Sequence, residues 1–119
     1  MGTTTVGVRL ANVIDPDRHV DVDMIVDSGA IYSVVPTPIL RGIGIEPRRS
    51  DTFRLADGRS VRRDIGHALF DIQGRSGPSM VIFGRRGDAC LLGMVALEEL
   101  GLALDPLKRR LRALTLMIA

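Results

Sequence analysis

Met24-Ile25-Val26-Asp27-Ser28-Gly29-Ala30-Ile31-Tyr32-Ser33-Val34-Val35-Pro36 is the stretch on which the reading of this chain turns. Three apolar residues run straight into an aspartate, and a short polar bend separates them from a second apolar run. A carboxylate placed directly after Met24-Ile25-Val26 stands where a core excludes charge, so Asp27 needs hydrogen-bond partners or a chemical purpose. These residues alone leave two readings open. Either Asp27 caps the bend by accepting from backbone N–H groups through Ser28 and Gly29, or it is a functional carboxylate.

Upstream, Val6, Val8 and Leu10 alternate with Gly7, Arg9 and Ala11, which predicts a strand with one buried face. Asp15-Pro16-Asp17 predicts a turn, and Val20, Val22, Met24 and Val26 a return strand. Downstream, Ile31 to Val35 predicts a third strand. Thr37-Pro38-Ile39-Leu40, with Thr37 as N-cap and Pro38 first in the helix, predicts about one helical turn stopped by Gly42.

Phe53-Arg54-Leu55 and Val61-Arg62-Arg63 flank Ala56-Asp57-Gly58-Arg59, where Asp-Gly predicts a tight, projecting hairpin. Ile65, Ala68, Phe70 and Ile72 lead to a predicted turn at Gly74-Arg75-Ser76-Gly77-Pro78 and then to the apolar strand Met80-Val81-Ile82-Phe83. After a turn at Gly84 to Asp88, Cys90-Leu91-Leu92 reads as a buried strand ended by Gly93. Met94, Leu97 and Leu100 have helical spacing, with Gly101 as the C-cap. Leu102 to Leu104, an Asp105-Pro106 turn, and Leu111, Ala113 and Leu114 close the chain in β-prone sequence. The two halves echo each other. Ile25-Val26-Asp27-Ser28-Gly29 leads to Leu40 and Gly44-Ile45, as Leu91-Leu92-Gly93 leads to Leu100-Gly101-Leu102.

With 119 residues, 45% of them hydrophobic, the chain is expected to be a single domain over residues 1–119. A net charge of +2 gives no strong field for nucleic acid or anionic lipid, and neither partner is expected. One cysteine cannot form an internal disulfide, no apolar run approaches a membrane span, and no signal-peptide pattern opens the sequence. A soluble, cytoplasmic setting is the expectation. Only 3% of residues are aromatic, so the core falls to Val, Ile, Leu, Met and Ala. His19, His67 and Cys90 have no ligand spacing, so no metal site is expected, and Cys90 reads as a small buried hydrophobe. Arg48-Arg49, Arg62-Arg63, Arg85-Arg86 and Lys108-Arg109-Arg110 read as solvated surface, of interest only for attracting acidic substrates.

The ordered set of Asp27-Ser28-Gly29-Ala30, Ser33-Val34-Val35-Pro36, the Asp57-Gly58 hairpin, Leu91-Leu92-Gly93 placed 64 residues after Gly29, and the helix ending at Leu100-Gly101 resembles the retropepsin-like aspartic proteases. The similarity runs through most of the chain and is to their small stand-alone bacterial and archaeal members. It implies an all-β acid protease fold, a closed or sandwiched β-barrel with one short C-terminal helix. It also implies an aspartic endopeptidase acting on polypeptides. Peptide hydrolysis by this route needs two carboxylates about 3 Å apart sharing one proton, one acting as base on a water and the other hydrogen-bonding the scissile carbonyl. The sequence holds no second Asp-Ser/Thr-Gly, so the partner must be Asp27 of a second copy across a two-fold axis.

In this resemblance Ser28 bonds across the axis and Gly29 lets substrate approach. Ala30, Ile31, the hairpin residues Leu55, Ala56, Asp57 and Gly58, and Leu92 would contact substrate. No organic cofactor or metal is implied. Both termini, 1–5 and 114–119, would join a dimer sheet. Two departures stand out. Retroviral members carry an acidic residue two positions after the catalytic glycine and a basic one after the second apolar-apolar-Gly, where this chain has Ile31 and Met94. An ion pair would thus be replaced by an apolar contact. The alternative is a non-catalytic peptide-binding or dimerisation module on the same fold. A nucleic-acid accessory barrel is suggested only by small size and basic pI.

Overall fold

The computed structural model describes residues 3–115 and 118. β1 (Thr4–Ala11) and β2 (His19–Val26) form the first hairpin, in antiparallel register from Thr4 opposite Val26 to Ala11 opposite His19. Val8 and Leu10 are buried while Thr5, Gly7 and Arg9 face solvent, the two-residue period of a strand with one face on a core. Asn12 organises the connecting loop. Its Oδ1 accepts the N–H groups of Ile14 and Asp15 at 2.9 and 3.1 Å, and its amide donates to the Ile43 carbonyl at 3.0 Å.

β3 (Ser33–Pro36), α1 (Thr37–Gly42), β4 (Arg49–Arg54), β5 (Ser60–Ile72), β6 (Arg75–Gly84), β7 (Leu91–Leu92), α2 (Met94–Glu99), β8 (Leu102–Asp105) and β9 (Arg110–Ala113) follow. The main sheet has the order β1-β2-β7-β3-β6-β5-β4, and β5 pairs back to β1 through Arg9–Asp71, Leu10–Phe70 and Ala11–Leu69. That return pairing closes the sheet into a barrel, as expected of the all-β reading, with β4 attached outside the ring. Phe70, Leu10, Met24, Leu40, Ile72, Val35, Val81, Leu92 and Leu97 fill it. The pair β8–β9 stands apart as a two-stranded sheet.

The pairings have an internal two-fold character. β2 runs parallel to β7, β6 runs parallel to β3, and the short antiparallel contact Val34–Leu91 joins β3 to β7. Exchanging β2 with β6, β3 with β7 and the hairpin β1–β2 with β5–β6 leaves this pattern unchanged, and a six-residue helix follows both β3 and β7. The sequence echo is therefore matched by a topological one, in a different alignment. Val34-Val35 corresponds to Leu91-Leu92, and the Asp27 bend corresponds to the 85–90 loop.

Several local expectations are corrected. Thr37 does not cap α1, because Pro36 occupies the N-cap and the Thr37 hydroxyl donates instead to the Gly84 carbonyl at 2.8 Å, tying α1 to the end of β6. The helix does end at Gly42, with Ile43 as its C-cap, and the left-handed residue that follows is Gly44 at φ +79°. The turn placed at Gly74 to Pro78 is the two-residue bend Gln73-Gly74, both with positive φ, while Ser76 to Pro78 belong to β6. Pro78 is tolerated because β3 pairs with β6 only from Val81 onward, leaving no partner for the missing N–H. The third strand begins at Ser33, not Ile31. Of the segments expected to join a dimer sheet, Thr4 and Thr5 lie in β1 and Leu114 and Thr115 in no strand, while 1, 2, 116, 117 and 119 fall outside the described residues.

Candidate functional site

The Asp27 bend is held from three sides. Val26 is the last residue of β2, and the Asp27 N–H donates to the Leu92 carbonyl at 3.2 Å, extending the β2–β7 ladder by one rung. The Asp27 Oδ1 accepts the Gly29 N–H at 2.8 Å and the Ala30 N–H closes a turn onto the Asp27 carbonyl at 3.1 Å. Asp27 is half-buried, whereas Ser28 and Gly29 are exposed. The bend-capping reading of Asp27 thus describes one of its two oxygens, and a single bond to one N–H leaves acceptor capacity on the carboxylate.

Helix α2 provides the second restraint. It has no side-chain cap, and its first amides are satisfied by the bend: Met94 N–H donates to the Ala30 carbonyl at 2.9 Å and Val95 N–H to the Ile31 carbonyl at 3.0 Å. These two bonds keep Ile31 and Tyr32 out of β3. Gly93, the N-cap, is the third restraint. Its N–H donates to the buried Ser33 hydroxyl at 3.0 Å, and a Cβ built on it would lie 2.5 Å from the Tyr32 carbonyl carbon and 2.7 Å from the Ile31 oxygen. Only glycine lets β7 and α2 approach the bend this closely. The Ser79 hydroxyl to Glu99 carboxylate bond at 3.1 Å then fastens α2 to β6.

Beside the bend lies an open groove of about 570 Å³. Its floor comes from Gly29, Ala30, Ile31, Tyr32, Val34 and Leu91, and one wall from the β4–β5 hairpin through Phe53, Arg54, Leu55, Arg59, Val61 and Arg63. The 87–89 loop forms the other wall. Tyr32 meets Phe53 edge-to-face, ring centres 6.3 Å apart, joining floor to wall. Of the residues named from sequence as substrate contacts, Ala30, Ile31 and Leu55 line the groove, and Ala56, Asp57 and Gly58 sit at the exposed hairpin tip; of the catalytic set Gly29 lines it, while Asp27 and Ser28 lie just outside its lining. Leu92 does not reach it. It is fully buried in the core, and its neighbour Leu91 faces the groove, since successive residues of a strand point to opposite sides.

The hairpin tip differs in detail from a two-residue turn. Gly58 N–H donates to the Leu55 carbonyl at 3.0 Å and Leu55 N–H to the Arg59 carbonyl at 2.7 Å, with Gly58 at φ +89°. This is a turn followed by a left-handed glycine, a three-residue connection that only glycine accepts without strain. The Asp57 carboxyl is held below its usual range, first by the Arg59 backbone N–H it accepts and then by the Arg59 guanidinium at 2.7 Å.

Arg63 corrects the reading of the arginine pairs as solvated surface. Its guanidinium grips both oxygens of Asp88, at 2.8 and 3.1 Å, with the two side chains 18% and 27% exposed. Asp88 also accepts the Arg85 N–H at 2.8 Å, and its carboxyl is lowered chiefly by the Arg63 hydrogen bonds. The pair bolts the hairpin wall to the 87–89 loop, and no signal in the sequence joins residues 25 positions apart. Ile31 is 64% exposed and lines the groove, and its carbonyl is tied to α2 through the Val95 N–H. Cys90 is half-buried and burial pushes its thiol up, consistent with an inert side chain. Among the described residues no cluster of His, Cys, Asp and Glu is arranged to hold a metal, and no helix is long and apolar enough to cross a membrane.

No family model matches the sequence, and no curated protein matches it. Among solved structures it is similar to the solution structure of the protease of simian foamy virus, with a TM-score of 0.52 and 20% identity over 75% of this chain and 86% of that one. At that identity the likeness establishes the fold. The barrel is retropepsin-like.

Proposed function

We propose that the protein is an aspartic endopeptidase that works as a homodimer. The observation that carries the proposal is the placement of Asp27. It is half-buried at the end of β2, on a bend pinned by Leu92, Met94, Val95 and Ser33, with one carboxylate oxygen bonded to Gly29 and an apolar groove whose lining starts two residues on, at Gly29. Two such bends brought together by a two-fold axis would set the two Asp27 carboxylates side by side. One would take a proton from water while the other hydrogen-bonds the peptide carbonyl, and the shared proton would move to the leaving amine. Ser28, exposed beside Asp27, would bond across the axis, and Gly29 would leave room for the peptide backbone. The β4–β5 hairpin would cover the bound peptide and exclude water. Neither metal nor organic cofactor enters this chemistry, and the single Cys90 suits a reducing, cytoplasmic setting.

The test is digestion of a diverse peptide library, read by mass spectrometry, with wild type and Asp27→Asn side by side. Wild type is expected to cut and Asp27→Asn to lose the activity; equal cleavage by both removes the proposal. A second reading rests on one chain supplying a floor and two walls to the groove, which a non-catalytic peptide-binding module can use. Peptide binding that survives Asp27→Ala in a protein that never cleaves would favour that module.

A further inference from the structure

We propose that the groove selects extended peptides carrying a bulky apolar side chain at one position and a carboxylate two residues away, the apolar group seated on Tyr32, Phe53 and Val61 and the carboxylate on Arg59. The inference rests on reading the groove as a peptide site, and deepens it by naming the peptide. Arg59, Val61 and Arg63 are every second residue along the return limb of the hairpin, and all three line the groove. Phe53 is paired with Val61 across the hairpin and meets the Tyr32 ring, so the middle of this wall is apolar. An extended peptide repeats its side chains every two residues, about 6.6–6.8 Å, the same spacing as the wall. A peptide lying along the hairpin therefore presents one side chain to Val61 and the next on that face to Arg59 or Arg63.

Charge decides between those two. Arg63 is committed to Asp88 through a two-point, largely buried pair, and Asp88 is further bonded by the Arg85 N–H. Neither is free. Arg59 is paired only with Asp57, its neighbour on the exposed tip, with side chains 74% and 54% exposed. Exchange of one solvated carboxylate for another costs little there. Arg54, also on the groove, forms no salt bridge among the described residues. The groove thus offers cations at its hairpin end, where the lining anion Asp88 is already committed to Arg63, a field complementary to an acidic side chain.

The experiment uses fluorescent peptides that differ only in Glu, Gln or Lys placed two residues from a central Leu. Binding is measured by anisotropy to full-length Asp27→Asn protein, which holds peptide without cutting it, and cleavage by wild type is followed in parallel. The Glu peptide is expected to bind roughly twofold to fivefold more tightly than the Gln peptide at low salt, an advantage lost near 1 M salt. Arg59→Gln should abolish the preference, and Arg59→Glu should turn it toward Lys. Equal binding of the three peptides, no binding of any, or an order unchanged in Arg59→Glu overturns the inference. Acid preference in binding without cleavage by wild type keeps the inference and removes the protease reading; cleavage indifferent to the acidic residue does the reverse.

Discussion

Replacing Gly93 by alanine tests how the bend carrying Asp27 is held. The new Cβ would lie 2.5 Å from the carbonyl carbon of Tyr32 and 2.7 Å from the carbonyl oxygens of Ile31 and Tyr32, so those atoms must retreat by about 0.7 to 0.9 Å to reach ordinary contact. All three belong to the main chain, so no side-chain rotation relieves them. The same retreat stretches the Gly93 to Ser33 bond and the two carbonyl bonds that start α2. Overpacking of this kind costs about 1–3 kcal/mol, and a clash with backbone belongs near 3. For a domain of this size that is a fall of about 8–12 °C in Tm. Gly7→Ala is the control, because nothing lies within 4 Å of its Cβ position. That change should leave stability unaltered or raise it by up to about 1 kcal/mol. Urea denaturation at one fixed protein concentration measures both. A Gly93→Ala protein within about 0.5 kcal/mol of wild type would refute the packing described for the bend.

Ser33→Ala leaves the Gly93 N–H buried without a partner and should cost about 1–3 kcal/mol in the same assay. Asp88→Asn should destabilise by about 1–2 kcal/mol at pH 6. Because Arg63 holds the folded Asp88 carboxyl below its unfolded value near 3.9, that contribution is complete above the unfolded value and lost as pH falls through the lower folded one, so the gap between wild type and Asp88→Asn in denaturation curves should shrink as the pH is lowered below about 4. Gly58→Ala places a side chain at φ +89° and should cost about 1–2 kcal/mol, seen as a lower Tm. Cys90 should react with a thiol reagent at pH 8 at least about tenfold more slowly in the native than in the urea-unfolded protein.

What could be read from the sequence was what depends on neighbours along the chain. Alternation located β1 and β2, the spacing of Met94, Leu97 and Leu100 located α2, and an aspartate after three apolar residues marked Asp27. What escaped depends on residues distant in sequence. Thr37 looks like a cap until Gly84, 47 positions away, offers its carbonyl. Ile31 and Tyr32 look like strand until the amides of α2 take the carbonyls of Ala30 and Ile31. Arg63 looks solvated because nothing local announces Asp88. The choice between Leu91 and Leu92 as the groove residue needed the facing of one short strand, which a run of identical residues does not encode.

The central claim, that two Asp27 carboxylates from two chains form one catalytic centre, is tested most directly by mixing. Wild-type protein is held at constant concentration, Asp27→Asn protein is added, subunits are allowed to exchange, and cleavage of a peptide identified in the library digest is followed. If each site needs both carboxylates, an equimolar mixture pairs half of the wild-type chains with a variant chain, and the rate should fall to about half, and to about a tenth at ninefold excess. A rate that stays constant as variant is added would contradict the shared site.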